Sequence, residues 1–507
     1  MIDTKALRQK ILDMAIKGEL VPQDPNDEPA SVLLEKIRAE KQRLIKEGKI
    51  KKDKLDSVIF KGDDNRHYEK IGNEVKDITD EIDFELPDDW EYIRLSFIGF
   101  LAGGYTPKSE ELANSGIIPY FKVADMNTDG NERYLIHTTN YLKSSPQKFF
   151  AKNSIVFPKN GGAVFTNKKR ILAQDSVVDL NTAVFTPYSL IELDYVYLLF
   201  LTIDFNDFYK GTALPTIKND FITTNLYGLP PVAEQKRIIK CVETLFAKID
   251  IIEQNQADIE TLYDELKKRT LNLAIQGKLV PQDENDEPAS ELLKRIHAEK
   301  KTQLGKKYVD SYIYKGDDNR YYEHIDGKTK DEAIEVPFDL PEKWAWSRIQ
   351  DISESYIGLT YKPSDIVHEN GSIVLRSSNI QNGKLNLTDI VRVKSTITEK
   401  LCVKKNDIII CARNGSKKLV GKSAIVDVDL PNLTFGAFMA ICKTPIYKYT
   451  YVFLQSNLFF SQLAGVSGTT TINQLTQASF NSFLIPIPPL SEQKRIVDKI
   501  NEIFAKL

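Results

Sequence analysis

The sequence predicts an α+β protein built from two similar halves and long antiparallel coiled-coil helices. Three observations predict it: half of the chain repeats, a heptad pattern runs through its middle, and short strand-and-turn runs lie on either side. The chain has 507 residues, more than one domain at about 150 residues each. Its 42% hydrophobic and 27% charged residues are ordinary for a globular protein and exclude a largely disordered one. No apolar run reaches the ~20 residues of a membrane helix, and the opening MIDTKALRQK lacks a signal peptide's apolar stretch. Cys241, Cys402, Cys411 and Cys442 suggest neither a disulfide framework nor a metal site, so a reducing cytoplasm is expected. The net charge of −3 argues against non-specific coating of nucleic acid but not against local basic surfaces.

The repeat organises the chain. Residues 15–31, AIKGELVPQDPNDEPAS, return at 274–290 as AIQGKLVPQDENDEPAS, with 14 of 17 positions identical. KGDDNR occurs at 61–66 and 315–320, FELPDDW at 84–90 echoes FDLPEKW at 338–344, and PPVAEQKRII at 230–239 echoes PPLSEQKRIV at 488–497. A period of about 255 residues marks a duplicated half-protein rather than a solenoid. After the second EQKRIV the copy stops at NEIFAKL, and the missing continuation stands at the chain's beginning as TKALRQKILDMAIKGELVPQ. The chain is therefore a circle of two halves cut within a helix.

In chain order, residues 1–84 hold the first part of a spacer helix and a linker segment. Residues 85–230 and 338–487 are variable α+β domains, in which β-branched and aromatic runs such as IIPYFKVADM and SIVLRSSNI alternate with Gly, Asn, Pro and Ser turns, the pattern of strands and turns. Each domain closes with an apolar helical stretch, at 195–205 and 451–462. Residues 231–337 hold the central spacer helix and a second linker segment, and 488–507 the closing helix. In the centre, Ile238, Val242, Leu245, Ile249, Ile252, Ile259, Tyr263, Leu266 and Leu273 step by three and four, with Gln256 the polar lapse, which is a coiled-coil seam. Dimerisation through that seam is one reading; the internal duplicate favours a partner helix made from the two chain ends.

Catalytic chemistry is absent from the pattern. No H-E-x-x-H, G-x-S-x-G or G-x-G-x-x-G occurs, and His67, His137, His297, His324 and His368 are scattered. GSKKLVGKS at 415–423 has five residues between its glycines rather than the four a phosphate loop needs, and a strand pattern, AIVDV, comes directly after it. Binding chemistry is present. The first domain carries Lys122, Asn127, Lys159, Asn160, Lys168, Lys169, Arg170 and Lys218. The second carries Arg376, Ser377, Asn379, Arg413, Asn414, Lys417, Lys418 and Lys422. Such residues at strand ends and loops grip phosphates and read base edges, Arg with guanine and Asn with adenine. The second domain has 16 basic against 11 acidic residues, a balance of +5, and the first 13 against 16, a balance of −3. For any single lysine, a solvated surface role competes with contact. The loops GTALPTIK at 211–218 and GTTTINQ at 468–474 also correspond between halves and suit either phosphate contact or a simple turn.

Two variable domains, each closed by P-P-x-x-E-Q-K-R-I and a long helix in cyclic order, resemble the specificity subunit of type I restriction-modification enzymes. The resemblance spans the whole chain. It implies two target-recognition domains, each reading one half of a split site in double-stranded DNA, with helices that set the spacing. It implies two modification subunits that methylate adenine N6 with S-adenosylmethionine, and two restriction subunits that use ATP and magnesium. These cofactors would belong to the partners; the resemblance gives this chain no catalytic residue, metal or cofactor. A duplicated protein-binding scaffold that never touches DNA, and the recognition subunit of a system with fused methylase and nuclease, are the alternatives.

Overall fold

In a computed structural model of the chain, residues 1–48, 50, 57–146, 148–208, 215–467 and 474–507 are described. They form two compact units, Met1–Ala257 and Asp258–Leu507, and no helix among them is long and apolar enough to cross a membrane.

The first unit contains α1 (Thr4–Ile16), α2 (Ala30–Lys46), α3 (Leu193–Thr202), α4 (Asn219–Thr223) and the beginning of α5 (Val232–Ile275). Asp3 starts α1 by accepting the Ala6 N–H at 3.0 Å, which satisfies one of the donors a helix start leaves open. α1 lies antiparallel to α5. Gln256 bonds the Ile2 N–H at 2.6 Å, whereas Arg8 reaches back to Asp250 and Glu253 at 2.5 and 3.2 Å. The heptad seam is buried where this pairing runs, at Ile238, Val242 and Ile249. Beyond it Ile259, Tyr263 and Leu266 are 46%, 39% and 42% exposed, so the predicted seam is not covered along its length. α1 reaches no further than Gln256.

In the second unit come α6 (Ala289–Leu304), α7 (Ile349–Ile352), α8 (Tyr447–Leu454), α9 (Asn457–Ser467), α10 (Gln477–Ser482) and α11 (Leu490–Phe504). Leu271, Ala274 and Ile275 at the end of α5 share a core with Ile496 and Ile500 of α11. The single apolar run expected at 451–462 is interrupted: it spans parts of α8 and α9, and Ser456, fully buried, turns the chain by bonding the Phe453 carbonyl at 2.7 Å.

The two variable domains share one topology. In the first, a sheet runs Gly99–Gly103, Thr182–Pro187, Ile155–Pro158, Arg170–Leu172 and Tyr134–Leu135; a second runs Val177–Val178, Ile118–Phe121, Tyr141–Leu142 and Leu112–Ala113. In the second domain the same orders recur, with four strands rather than five in the first sheet, as Glu354–Ile357, Met439–Lys443, Ile408–Cys411 and Ser423–Ile425, and as Leu433–Phe435, Ser372–Leu375, Val391–Val393 and Ile366–Val367. The strands Ile155–Pro158 and Ile408–Cys411 are buried at every position, which explains their unbroken apolar sequence. GSKKLVGKS forms a short helical turn that leads into the strand Ser423–Ile425, the order its AIVDV pattern predicts.

The repeated motifs explain one another. Glu234, buried in the first turn of α5, accepts the Trp90 indole N–H at 3.0 Å and the Gln23 amide at 3.1 Å. Glu492 of α11 does the same with Trp344 at 2.9 Å and Gln282 at 2.6 Å. Gln235 and Gln493 donate to the carbonyls of Pro230 and Pro488 at 3.0 and 2.9 Å. Arg237 and Arg495 grip Asp27 and Asp286 with two bonds each. The sequences PQDxND, LPxxW and PPxxEQKR are thus one joint, fastening each long helix to its variable domain. Gly18, at φ +74°, belongs to it: a Cβ there would stand 2.6 Å from the Pro87 ring.

Candidate nucleic-acid interface

Three strand ends meet in each variable domain. In the first, Ile118–Phe121 ends at Lys122 and Ile155–Pro158 ends at Lys159 and Asn160. The turn at 179–181 ties them: the Asp179 carboxylate accepts the N–H of Val123 at 3.3 Å, and the Asn181 carbonyl accepts those of Lys159 and Asn160 at 2.6 and 3.3 Å. In the second, Ser372–Leu375 ends at Arg376 and Ile408–Cys411 leads to Arg413 and Asn414. There the Leu375 carbonyl accepts the Gly436 N–H at 3.0 Å, and the Phe438 carbonyl accepts those of Ala412 and Arg413 at 2.9 and 3.0 Å. Binding residues concentrate at such loop-bearing ends of a rigid sheet.

The last part of each of the two corresponding loops, 211–218 and 468–474, docks on the same place. Asn160 bridges Thr216, and Arg413 bridges Gln474. Residues 211–214 and 468–473 of those loops lie outside the described residues.

Several predicted residues come together here. Asn414 donates to the Ser377 hydroxyl at 3.4 Å, joining two strand ends. The Arg413 guanidinium lies 5.4 Å from the centroid of the Phe438 ring. Arg376 bonds the exposed Asp389 carboxylate at 2.8 Å. Lys417 and Lys418 are exposed and line a recess of about 140 Å³ with Phe460, Leu463 and Gln474. Lys422 is half-buried. In the first domain, Lys122 donates to Asn140 at 3.2 Å, Lys168 bonds Asn127, Lys159 is half-buried and Lys218 exposed.

Two predicted residues turn inward instead, a correction to the surface expected of them. Lys169 is 2% exposed; its Nζ donates to the Ile203 carbonyl and Asn167 at 2.5 and 2.6 Å and lies over the Phe205 ring. Burial pushes its amine down to about 7. Asn379, 1% exposed, holds its loop by donating to the carbonyls of Asn386 and Asp389 and accepting the Arg376 N–H. In both, the local backbone direction carries the side chain to the covered face. Arg170 is intermediate: it donates to the carbonyls of Lys169 and Met126 at 2.8 and 3.1 Å, and burial lowers its pKa.

Sequence reasoning missed two apolar side chains at the strand ends. Phe438 is 60% exposed and Leu180 54%. Phe438 sits in FGAFMAI, where nothing in the pattern separates an exposed ring from a core one. Apolar side chains can touch a thymine methyl or wedge between base steps.

Residues 87–261 and 341–507 match the family model of the type I restriction modification DNA specificity domain. The chain is similar to the type I restriction enzyme EcoAI specificity subunit of Escherichia coli, 30% identical over 99% of this chain and 89% of that protein. It is 28% identical to the EcoEI specificity subunit of the same species, over the same shares. Its fold matches, with a TM-score of 0.54 at 16% identity, a chain in a solved structure concerning assembly and conformational transition of the type I restriction-modification system, covering 83% of this chain and 92% of that one. Two domain matches around a long helix, and similarity along almost the whole chain, make this protein a member of the specificity subunits of type I restriction-modification systems.

Proposed function

We propose that each variable domain reads one half of a bipartite DNA sequence through its three strand ends, and that the long helices set the distance between the halves. The observation that carries this reading is the contrast between scaffold and surface. One strand order and one helix joint recur in both units, while equivalent strand ends present Lys122 and Lys159 in one and Arg376 and Arg413 in the other. Different side chains on the same frame would read different bases, so the site is bipartite and non-palindromic. Lys122, Asn127, Lys159, Asn160, Lys168 and Lys218 belong to one reading surface; Arg376, Ser377, Arg413, Asn414, Lys417, Lys418 and Lys422 belong to the other. The 44 residues of α5, at ~1.5 Å each, give about 66 Å of helix, ample for two major-groove contacts about 34–36 Å apart.

Two modification subunits dock on this chain and methylate adenine N6, one in each half-site, and two restriction subunits join them. The exposed Ile259, Tyr263 and Leu266 of α5 suit docking, since apolar surface left on a helix favours burial by a partner. Extracting an adenine from the duplex and transferring a methyl group needs an enclosed catalytic pocket, which the modification subunit supplies together with S-adenosylmethionine. The test is to assay the purified chain alone and after mixing with its modification subunit. Methyl transfer to DNA should appear only in the mixture; transfer by the chain alone would overturn the reading.

A further inference from the structure

Outside the variable domains, one exposed structure is repeated almost unchanged. Strands Ser57–Lys61 and His67–Ile71 make a hairpin in the first unit, and Ser311–Lys315 and Tyr321–Ile325 make the same hairpin in the second. Both tips read Lys-Gly-Asp-Asp-Asn-Arg. Turn chemistry explains part of the identity. Asn65 and Asn319 take φ of +68° and +67°, which Asn tolerates better than most residues. Asp64 and Asp318 accept from the N–H of Arg66 and Arg320 and from the hydroxyls of Tyr68 and Tyr322.

One aspartate of each tip has no such use. Asp63 and Asp317 are exposed and make no hydrogen bond or ion pair among the described residues. Beside each tip an aromatic ring faces solvent against its cross-strand neighbour. Phe60 is 41% exposed, 5.8 Å from Tyr68, and Tyr314 is 37% exposed, 6.0 Å from Tyr322. Each hairpin is also fastened to its own variable domain. Arg94 binds both oxygens of the buried Glu69 at 3.1 and 2.7 Å, and Arg348 binds both oxygens of the buried Glu323. Bidentate pairs of this kind fix geometry as well as adding energy.

Resting on the function proposed above, we propose that the twin hairpin tips dock two modification subunits, one on each tip. A nearly identical exposed patch, with Phe60 in one copy and Tyr314 in the other, present twice on a chain whose reading surfaces differ, fits the same partner surface twice. DNA is a poor occupant. Residues 57–84 hold four basic against eight acidic side chains, a balance of −4, and residues 311–338 hold four against seven, a balance of −3; phosphates would be repelled. The partner surface that matches is an apolar recess for the ring, flanked by a lysine or arginine for the aspartate. The ion pairs beneath the tips would then hold each methylase in fixed register with the half-site its own domain reads. That register is what a base extracted into the partner's pocket requires.

The test uses native mass spectrometry of the full chain mixed with modification and restriction subunits. One variant carries Phe60→Ser and Asp63→Lys, a second Tyr314→Ser and Asp317→Lys, and a third all four. These substitutions spare Asp64, Asn65 and the Glu69–Arg94 pair. The wild-type chain should carry two modification subunits, either two-residue variant one, and the four-residue variant none at the same concentrations, with affinity reduced at least about tenfold per site. Should a variant melt early, the isosteric Asp63→Asn and Asp317→Asn read out in the same way with smaller effects. A wild-type chain that binds no modification subunit would sink the proposed function itself. Wild type and every variant binding two would overturn this inference alone. So would variants that keep both modification subunits and lose restriction subunits or DNA.

Discussion

Replacing Arg413 with alanine should relax one base position in one half-site. Its backbone N–H is bonded to the Phe438 carbonyl at 3.0 Å, so the loop should keep its course without the side chain. The guanidinium lies on an exposed ring and is paired with no carboxylate among the described residues, unlike that of Arg376 beside Asp389. Its fork of donors is open to a guanine edge. A bidentate contact to guanine discriminates by about 1–3 kcal/mol, so cognate binding should fall roughly five- to 150-fold. Stacking of the guanidinium on the Phe438 ring contributes only about 0.5–1 kcal/mol to the free protein at an exposed site, so the melting temperature should barely move. The assay is fluorescence anisotropy of the assembled complex on the cognate duplex and on duplexes with single base changes, at several salt concentrations. R413A should lose affinity for the cognate and gain tolerance at one position. The comparison is K417A, which should weaken all duplexes alike and reduce the salt slope by about one unit, as a phosphate contact does. If R413A keeps full affinity and selectivity, Arg413 is not in the interface. If it behaves like K417A, it holds phosphate and reads nothing.

The buried lysine and the long helix each give a further expected outcome. Burial pushes the Lys169 amine down to about 7 from the usual 10.5, so between those values the unfolded chain holds a proton that the folded chain has lost. Stability must therefore rise with pH across that window; thermal melts should show wild type gaining on K169M between pH 7 and 10, and parallel curves would refute a buried, neutralised amine. Inserting seven residues after Asn255 preserves the apolar repeat and adds about 10 Å, up to ~3 base pairs at ~3.4 Å each. Methylation by that variant should shift to half-sites spaced further apart with both halves unchanged, and an active variant that keeps the original spacing would show that the helix does not set the distance.

The scaffold was legible because its residues recur. EQKR, PQD and the tryptophan of LPxxW each appear twice, and the structure shows them bonded to one another at the starts of α5 and α11. Apolar runs between turn residues located the strands, and the AIVDV run showed that a strand, not a helix, follows the Gly-Lys-Ser stretch at 421–423. The proposed reading surface was legible only as a region. In KKR at 168–170, Lys168 stays outside and Lys169 goes in, because an extended chain turns successive side chains to opposite faces and no composition records which face is covered. Asn379 looks like a base reader and acts as a loop brace, since its partners are backbone carbonyls that any sequence would provide. Phe438 looks like core and is exposed. The heptad pattern predicts an apolar seam but cannot say how far a partner helix extends along it, and Ile259 and Leu266 are left uncovered.

The claim that each domain reads its own half-site is tested most directly by exchange. Residues 85–230 are replaced with the equivalent domain of a related specificity subunit, the complex is assembled with its modification subunit, and methylated adenines are mapped on genomic DNA. The joint made by Trp90, Gln23 and Glu234 guides the design: the incoming domain must bring its own tryptophan to the same place. The account predicts that one half of the recognised sequence changes while the other half remains as it was. A change in both halves at once would contradict it, because recognition would then be shared across the two domains.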